Sequence, residues 1–142
     1  MILYLDTSSL AKLYIEESFS ANVREWCAEA VIIATSRVAY PELLSALTRR
    51  CNSGDVNKVE FELLVGKFTT EWGRYVSLDI DEITAGDLVR KHGIRGFDSI
   101  HLASALQLRT GDKGVDVVFS SFDKKLNGAA KAEGFIVLTA GL

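Results

Sequence analysis

The alternation of short apolar runs with longer amphipathic segments is the feature that most restricts how this chain can fold. Runs rich in β-branched residues are typical of buried strands, and segments with helical periodicity are typical of helices that cover a sheet. The pattern predicts five strands: Ile2 to Leu5, Val31 to Ala34, Tyr75 to Leu78, Val115 to Phe119 and Phe135 to Leu138. Strand and helix in alternation, joined by right-handed crossovers, predict an α/β fold with a parallel sheet of about five strands between helices.

Helical periodicity accounts for most of the rest of the chain. The pattern predicts seven helices: Ser9 to Ile15, Ser20 to Ala30, Val38 to Cys51, Val56 to Trp72, Asp81 to His92, Asp98 to Arg109 and Asp123 to Glu133. Turn signals occur at Asn52 to Asp55, at Gly93 and Gly96, and at Gly111 to Gly114. None of these resembles an interdomain linker, so residues 1–142 are expected to form one domain.

Composition and charge limit the functions that the chain can have. With 48% hydrophobic and 25% charged residues, the chain can enclose one core. The net charge of −3 gives no overall positive field, so any nucleic-acid binding must depend on a local patch. The opening apolar run from Met1 to Leu5 is cut by Asp6 and is too short for a signal peptide or a membrane span. We therefore expect a cytoplasmic protein that does not bind a membrane.

Four carboxylates fall where the predicted strands deliver the chain to one edge of the sheet. Asp6 ends the first strand, Glu42 opens the helix after the second, Asp98 begins a helix after the loop at residues 93–97, and Asp123 follows the fourth strand. Ligands of open α/β sheets bind beyond this edge. Each acid taken singly is equally consistent with an ordinary helix cap or first-turn residue.

Taken together, the four acids favour a metal site. Two carboxylates about 5 Å apart repel each other by roughly 3 kcal/mol at an effective dielectric constant of about 20, so a cluster of four requires a cation or raised pKa values. Oxygen ligands without a histidine or cysteine grouping select a hard ion, Mg²⁺ or Mn²⁺. The chemistry that such a site performs with a phosphate substrate is phosphodiester hydrolysis.

Four segments that contain these acids resemble the PIN-domain family and, within it, the VapC-type toxins of toxin–antitoxin pairs. The likeness extends over nearly the whole chain and is carried by Leu5 to Tyr14 with Glu16, by Ala39 to Leu47, by Arg95 to Ala105, and by Phe119 to Leu126. Position by position, the resemblance makes Asp6, Glu42, Asp98 and Asp123 the catalytic and metal-binding acids. It also makes Ser121 a supporting hydroxyl.

The same resemblance implies an activity and partners. It implies a metal-dependent endoribonuclease that cleaves RNA in the acidic crevice at the strand ends with Mg²⁺ or Mn²⁺. It further implies a homodimer and a small antitoxin protein that covers the site. We expect the antitoxin to hold the interhelical surface between Val38 and Phe68.

Other residues invite a functional interpretation, and two rival functions compete with this one. His101 lies one helical turn after Asp98, and a hydrogen-bonded packing role is favoured over contact with substrate. Four cations near the strand ends could hold phosphates, although a solvated charge is the simpler interpretation of each: Lys12, Arg37, Arg95 and Lys124. The rivals are a phosphoacceptor signalling domain with an acidic Mg²⁺ pocket and a catalytically inactive PIN-fold binding module.

Overall fold

A computed structural model describes residues 1–111 and 116–140. The elements in chain order are β1 (Ile2–Leu5), α1 (Thr7–Ala11), α2 (Ser20–Glu29), β2 (Ile32–Ser36), α3 (Ala39–Asn52), α4 (Lys58–Glu71), a 3₁₀ turn (Trp72–Arg74), β3 (Val76–Leu78), α5 (Glu82–His92), α6 (Gly96–Gly111), β4 (Val117–Ser120), α7 (Lys124–Ala132) and β5 (Ile136–Leu138). Within these described residues, no helix is long and apolar enough to cross a membrane.

The five strands form one parallel sheet in the order β3-β2-β1-β4-β5. The chain moves outward from β1 through β2 to β3 and then returns to add β4 and β5 on the other side of β1. The order therefore reverses between β1 and β4, where Leu5 lies opposite Ser120. In sheets of this kind the crevice beyond the carboxyl ends at the reversal point is where ligands bind.

The central strand β1 separates two cores. Its side chains alternate, so Ile2 and Tyr4 pack on one face of the sheet and Leu3 and Leu5 on the other, and all four are buried. Helices α5, α6 and α7 cover the Tyr4 face, and α1 to α4 cover the Leu5 face. Burial on both faces explains why the strand has no polar residue until Asp6.

The predicted fold class is confirmed, and four of the five predicted strands agree with the structure to within two residues at each end. Residues 112–115 hold most of the turn predicted at Gly111 to Gly114 and the predicted first residue of the fourth strand, Val115, and they lie outside the described residues. The strand itself covers Val117–Ser120.

The first helix differs from its prediction. The sequence pattern predicts it over Ser9 to Ile15, but it covers Thr7–Ala11. It begins earlier because Asp6 caps it directly at the end of β1, with its side chain accepting a hydrogen bond from the Ser9 N–H. It ends earlier because the chain forms a tighter turn with i to i−3 hydrogen bonds after Ala11. Tyr14 and Ile15 are still buried, so the sequence keeps a helical spacing of apolar residues beyond the end of the helix.

Candidate active site

Asp6 occupies the point where the strand order reverses. Its backbone N–H donates to Ser120 O at 3.1 Å, which ties the end of β1 to the end of β4. Its carboxylate oxygens are divided between two tasks. Oδ1 accepts hydrogen bonds from Ser9 N at 3.0 Å and Ser8 Oγ at 2.7 Å, and Oδ2 accepts one from Ser121 Oγ at 2.6 Å. A helix cap and a connection to β4 are thus made by one side chain.

The surroundings of Asp6 shift its acidity. The residue is only 4% exposed, and removal from water raises the pKa of its carboxyl group above the usual value. The charge of His101 and the hydrogen bonds from Ser121, Ser8 and Ser9 oppose this shift without cancelling it. A buried carboxylate with a raised pKa is common at active sites. Its negative charge is unfavourable there until a cation binds beside it.

Glu42 lies in the first turn of α3 and is held by two residues from other elements, Thr7 of α1 and His101 of α6. Thr7 Oγ1 donates to Glu42 Oε1, and His101 Nε2 lies 3.0 Å from both of these atoms. On the other side of the ring, Nδ1 lies 2.8 Å from the Tyr4 hydroxyl. A carboxylate only accepts hydrogen bonds, so Nε2 must carry a proton and donate it towards Glu42.

This arrangement fixes the charge of Glu42. Burial alone would raise the pKa of its carboxyl group, but the hydrogen bonds from His101 and Thr7 and the nearby charge of Arg95 outweigh burial and lower it. Glu42 is therefore ionised at neutral pH. His101, only 2% exposed, is a hydrogen-bonded residue of the interior as the sequence interpretation favoured, and its contacts with the crevice are those to Glu42 and Thr7.

Asp98 and Asp123 lie on the outer side of the crevice and share one cation. Asp123 caps α7, because its Oδ1 accepts from Leu126 N at 2.8 Å. Its Oδ2 accepts from Arg95 Nη2 at 3.1 Å, and Asp98 Oδ2 accepts from Arg95 Nε at 3.0 Å. Asp98 stands in the first turn of α6, which begins at Gly96, two residues before the predicted start.

Two cavities open beside Glu42. One, of about 620 Å³, lies between α5 and α6 and is bordered by Glu42, Arg95, Phe97 and Asp98. The other, of about 580 Å³, runs along α3 towards Arg49, with Glu42 and Phe97 again on its border. The two cavities share Glu42 and Phe97 on their borders, and Asp98 borders the first of them, whereas Asp6 and Asp123 border neither.

The four acids predicted from the sequence reach one edge of the sheet, and short links connect them. Ser121 Oγ, which donates to Asp6, also accepts from Asp123 N at 3.0 Å, and Thr7 joins the segment after β1 to Glu42. Among residues 1–111 and 116–140, however, no group of three or more His, Cys, Asp or Glu side chains is arranged to hold a metal ion. Their assignment as metal-binding and catalytic residues, and that of Ser121 as a supporting hydroxyl, remains a prediction.

Sequence reasoning missed the part that Tyr4 has in the site. A tyrosine in an otherwise aliphatic strand, on the same face as a helix with one histidine, is the signal that could have revealed it. Of the four candidate cations only Lys12 differs from expectation, since Arg37, Arg95 and Lys124 are exposed as expected. Lys12 is buried and contacts Glu17 and the Phe122 ring instead of being solvated, and Arg37 pairs with Asp79. Arg95 alone among the four candidate cations forms ion pairs with two of the predicted site acids.

Comparison with protein-family models and characterised proteins gives a consistent result. The model of the PIN domain matches residues 3–132. Ribonuclease VapC45 and Ribonuclease VapC49, from two strains of Mycobacterium tuberculosis, are each 32% identical over 147 residues, which cover 99% of this chain and 97% of the relative. Ribonuclease VapC47 of the same species is 27% identical over 149 residues, or 99% of this chain and 98% of the relative.

Solved structures support the fold. The crystal structure of FitAcB from Neisseria gonorrhoeae has a TM-score of 0.68 at 18% identity, and the match covers 98% of this chain and 97% of that one. The structure of FitAB bound to an IR36 DNA fragment has a TM-score of 0.65 at 18% identity, covering 97% and 94%. At this level of identity the likeness concerns the fold alone.

Proposed function

Since this chain belongs to the PIN-domain family and is a near full-length relative of the VapC ribonucleases, we propose that it is an endoribonuclease that hydrolyses RNA phosphodiester bonds in the crevice around Asp6. We propose further that it is the toxin of a toxin–antitoxin pair and acts in the cytoplasm. The observation that carries the proposal is the buried Asp6 carboxylate at the reversal point of the sheet, linked by short hydrogen bonds to the segments that bear Glu42 and Asp123.

The donor chemistry of the site fits a hard divalent cation. Glu42 and Asp98 border one cavity, and their Oε2 and Oδ1 atoms accept no hydrogen bond from the described residues, so lone pairs are available there. We propose that Asp6, Glu42, Asp98 and Asp123 hold Mg²⁺ or Mn²⁺. When bound, such an ion lowers the pKa of water and neutralises phosphate charge.

The chain's own residues prepare the site in advance. His101 and Thr7 hold Glu42 in one rotamer and keep it ionised, so no reorientation of this carboxylate is needed when the substrate arrives. Ser121 holds Asp6 and the start of α7 together, which keeps Asp123 in register with Asp6. The hydrogen-bond network thus holds the carboxylates in the positions from which they would bind the cation.

Basic side chains along the two cavities provide the local positive patch that the net charge alone does not. Arg49 borders the cavity along α3, and Arg95 borders the cavity between α5 and α6. Both are on the surface, where they can neutralise phosphates on either side of the bond that is cleaved. Phe97, 61% exposed at the junction of the two cavities, offers an aromatic face to an unstacked base.

Two faces of the molecule have the apolar character expected of partner surfaces. On α4, Val59 and Leu63 are one turn apart and 71% and 69% exposed, and we propose that the antitoxin covers this face together with α3. Ile83 is 72% exposed on α5, and we propose that a second copy of the chain packs there to form the homodimer. Sedimentation of the protein, alone and with its antitoxin, measures both associations.

The direct test is cleavage of a fluorogenic RNA by the purified protein with Mg²⁺ or Mn²⁺ and with excess EDTA. We expect activity only with the ion, and loss of activity in Asp6→Asn. Asp87→Asn is the matched control, since Asp87 is an exposed acid on α5 that does not border the cavity. Full activity in EDTA would refute the metal requirement, and equal loss in both variants would refute the assigned site.

The toxin assignment has a separate test in cells. We expect expression of the chain alone to arrest growth, and co-expression with the small protein encoded beside it to restore growth. The Asp6→Asn variant should be harmless at the same level of folded protein. Harmless expression of the folded, RNA-cleaving wild type would show that the chain is a PIN nuclease without a toxin role.

A further inference from the structure

Arg95 makes two ion pairs with acids from different elements. It lies in the short connection between α5 and α6, and its side chain is 78% exposed. Its Nε donates to Asp98 Oδ2 on α6, and its Nη2 donates to Asp123 Oδ2 at the start of α7. One guanidinium therefore bridges two of the four acids that the proposed function assigns to the cation.

The positive charge of Arg95 also reaches a third acid. The nearby charge of Arg95 is one reason why the pKa of Glu42 is lowered. In turn, the pKa of Arg95 is raised, mainly by its hydrogen bond to Asp98 and also by the negative charges of Asp98, Asp123 and Glu42. Arg95 thus neutralises part of the repulsion in the acid cluster. A planar guanidinium is suited to this role because its donors point in several fixed directions, which a lysine ammonium cannot reproduce.

A divalent cation and Arg95 would bind the same two carboxylates, and at Asp123 they would use the same oxygen, Oδ2, because Oδ1 caps α7. An oxygen that donates its lone pairs to a cation is a poorer acceptor for an arginine N–H, and two positive groups on the same side of one carboxylate repel each other. The side chain of Arg95 has room to leave these carboxylates, because 78% of it is exposed to solvent.

We propose that Arg95 is an intramolecular counter-ion that competes with the divalent cation for Asp98 and Asp123. In the metal-free protein it stabilises the cluster of acids. When the cation binds, Arg95 is released from both carboxylates and its charge becomes available to a substrate phosphate at the border of the cavity. The proposal rests on the proposed function, since it presumes a cation at these acids.

The experiment is Mn²⁺ binding by isothermal titration calorimetry to the wild type, Arg95→Gln and Arg95→Lys. Arg95→Gln should bind Mn²⁺ about threefold to tenfold more tightly than the wild type, the range expected when weak exposed ion pairs no longer compete. Arg95→Lys should lie between the two, because it keeps the charge without the bridge. Arg37→Gln is the control, since Arg37 is also an exposed arginine at the strand ends but pairs with Asp79.

A second readout is the melting temperature, measured first without the ion and then with it. In chelator, Arg95→Gln should melt at a lower temperature than the wild type because the acids lose their counter-ion, and added Mn²⁺ should raise its melting temperature by more. Equal Mn²⁺ affinity of the wild type and Arg95→Gln, or weaker binding by the variant, would overturn the competition and leave the metal site standing. Absence of Mn²⁺ binding to either protein would overturn the metal site and the competition together.

Discussion

Replacing Asp6 with asparagine separates the two tasks of its carboxylate. The asparagine keeps an oxygen at the Oδ1 position, so it can still accept from Ser9 N and cap α1. Its amide nitrogen replaces Oδ2 and can donate to Ser121 Oγ, which keeps its bond from Asp123 N and accepts a second one, while its own proton loses Oδ2 as acceptor. The substitution removes the buried negative charge while every buried partner keeps a hydrogen bond.

The expected magnitude follows from comparison with Asp6→Ala. Alanine loses the cap, at about 1 kcal/mol, and leaves the buried Ser121 hydroxyl without its partner, at about 1 to 3 kcal/mol. Asp6→Asn should therefore be more stable than Asp6→Ala by about 2 to 4 kcal/mol, the sum of these two costs. In chelator it should equal or exceed the wild type, because a charge held in an apolar surrounding is removed.

The difference from the wild type should depend on pH. The pKa of Asp6 is raised in the folded protein, so the folded protein retains a proton that the unfolded chain has released. The stabilising contribution of this protonated group is therefore lost as pH rises through the folded pKa. The asparagine side chain does not titrate, and the contribution of Glu42 is common to both proteins. The advantage of Asp6→Asn should accordingly grow from about pH 4, near the ordinary pKa of an aspartate, and level off above the folded pKa.

Urea unfolding in chelator, followed by the fluorescence of Trp26 and Trp72 at a series of pH values, measures this difference. A difference that stays constant with pH would refute the raised pKa of Asp6. An Asp6→Asn variant no more stable than Asp6→Ala would refute the roles assigned to the two oxygens, capping of α1 by Oδ1 and binding of Ser121 by Oδ2. With Mn²⁺ added, only the wild type should gain stability appreciably.

Three further predictions concern other parts of the structure. Asp98→Asn should reduce RNA cleavage more than about a hundredfold while the metal-free fold persists, because a site charge is lost without a helix cap, and a near-normal rate would remove Asp98 from the site. Tyr4→Phe should lower the free energy of unfolding by about 1 to 3 kcal/mol, because His101 Nδ1 loses its buried partner, and an unchanged urea midpoint would contradict this. Gly93→Ala should destabilise the protein by about 1 to 2 kcal/mol, because its φ of 66° is unfavourable for alanine although the added Cβ would meet no neighbouring atom. Gly66→Ala within α4, where a Cβ also has space, should slightly stabilise the protein in the same urea assay.

The fold and the position of the acids could be predicted from the sequence because both depend on short-range patterns. Ile2 to Leu5 are apolar at every position since both faces of β1 are covered, and this marks the central strand. Once the strands are recognised, the residues at their carboxyl ends must share one edge of the sheet. Asp6 and Asp123 could therefore be found without knowledge of any contact between them.

The hydrogen-bond partners could not be predicted in the same way. Tyr4 and His101 are 97 residues apart, and their contact depends on how α6 packs over β1, which periodicity does not report. Arg95 is similar, since only the structure shows that it reaches Asp123, 28 residues away, as well as Asp98. Nor does the sequence show that Asp6 and Asp123 can each cap a helix with one carboxylate oxygen and keep the other for a second purpose.

The pairing of β1 with β4 determines when this molecule can become active during its synthesis. Asp6 leaves the ribosome before its partner Ser121, which lies 115 positions later in the chain. Until β4 docks, Asp6 has neither Ser121 nor the Ser120 carbonyl, and α7 with Asp123 has no place beside it. The candidate active site thus remains incomplete until the segment after β4 has been synthesised and has docked, because contacts of such long sequence separation form late.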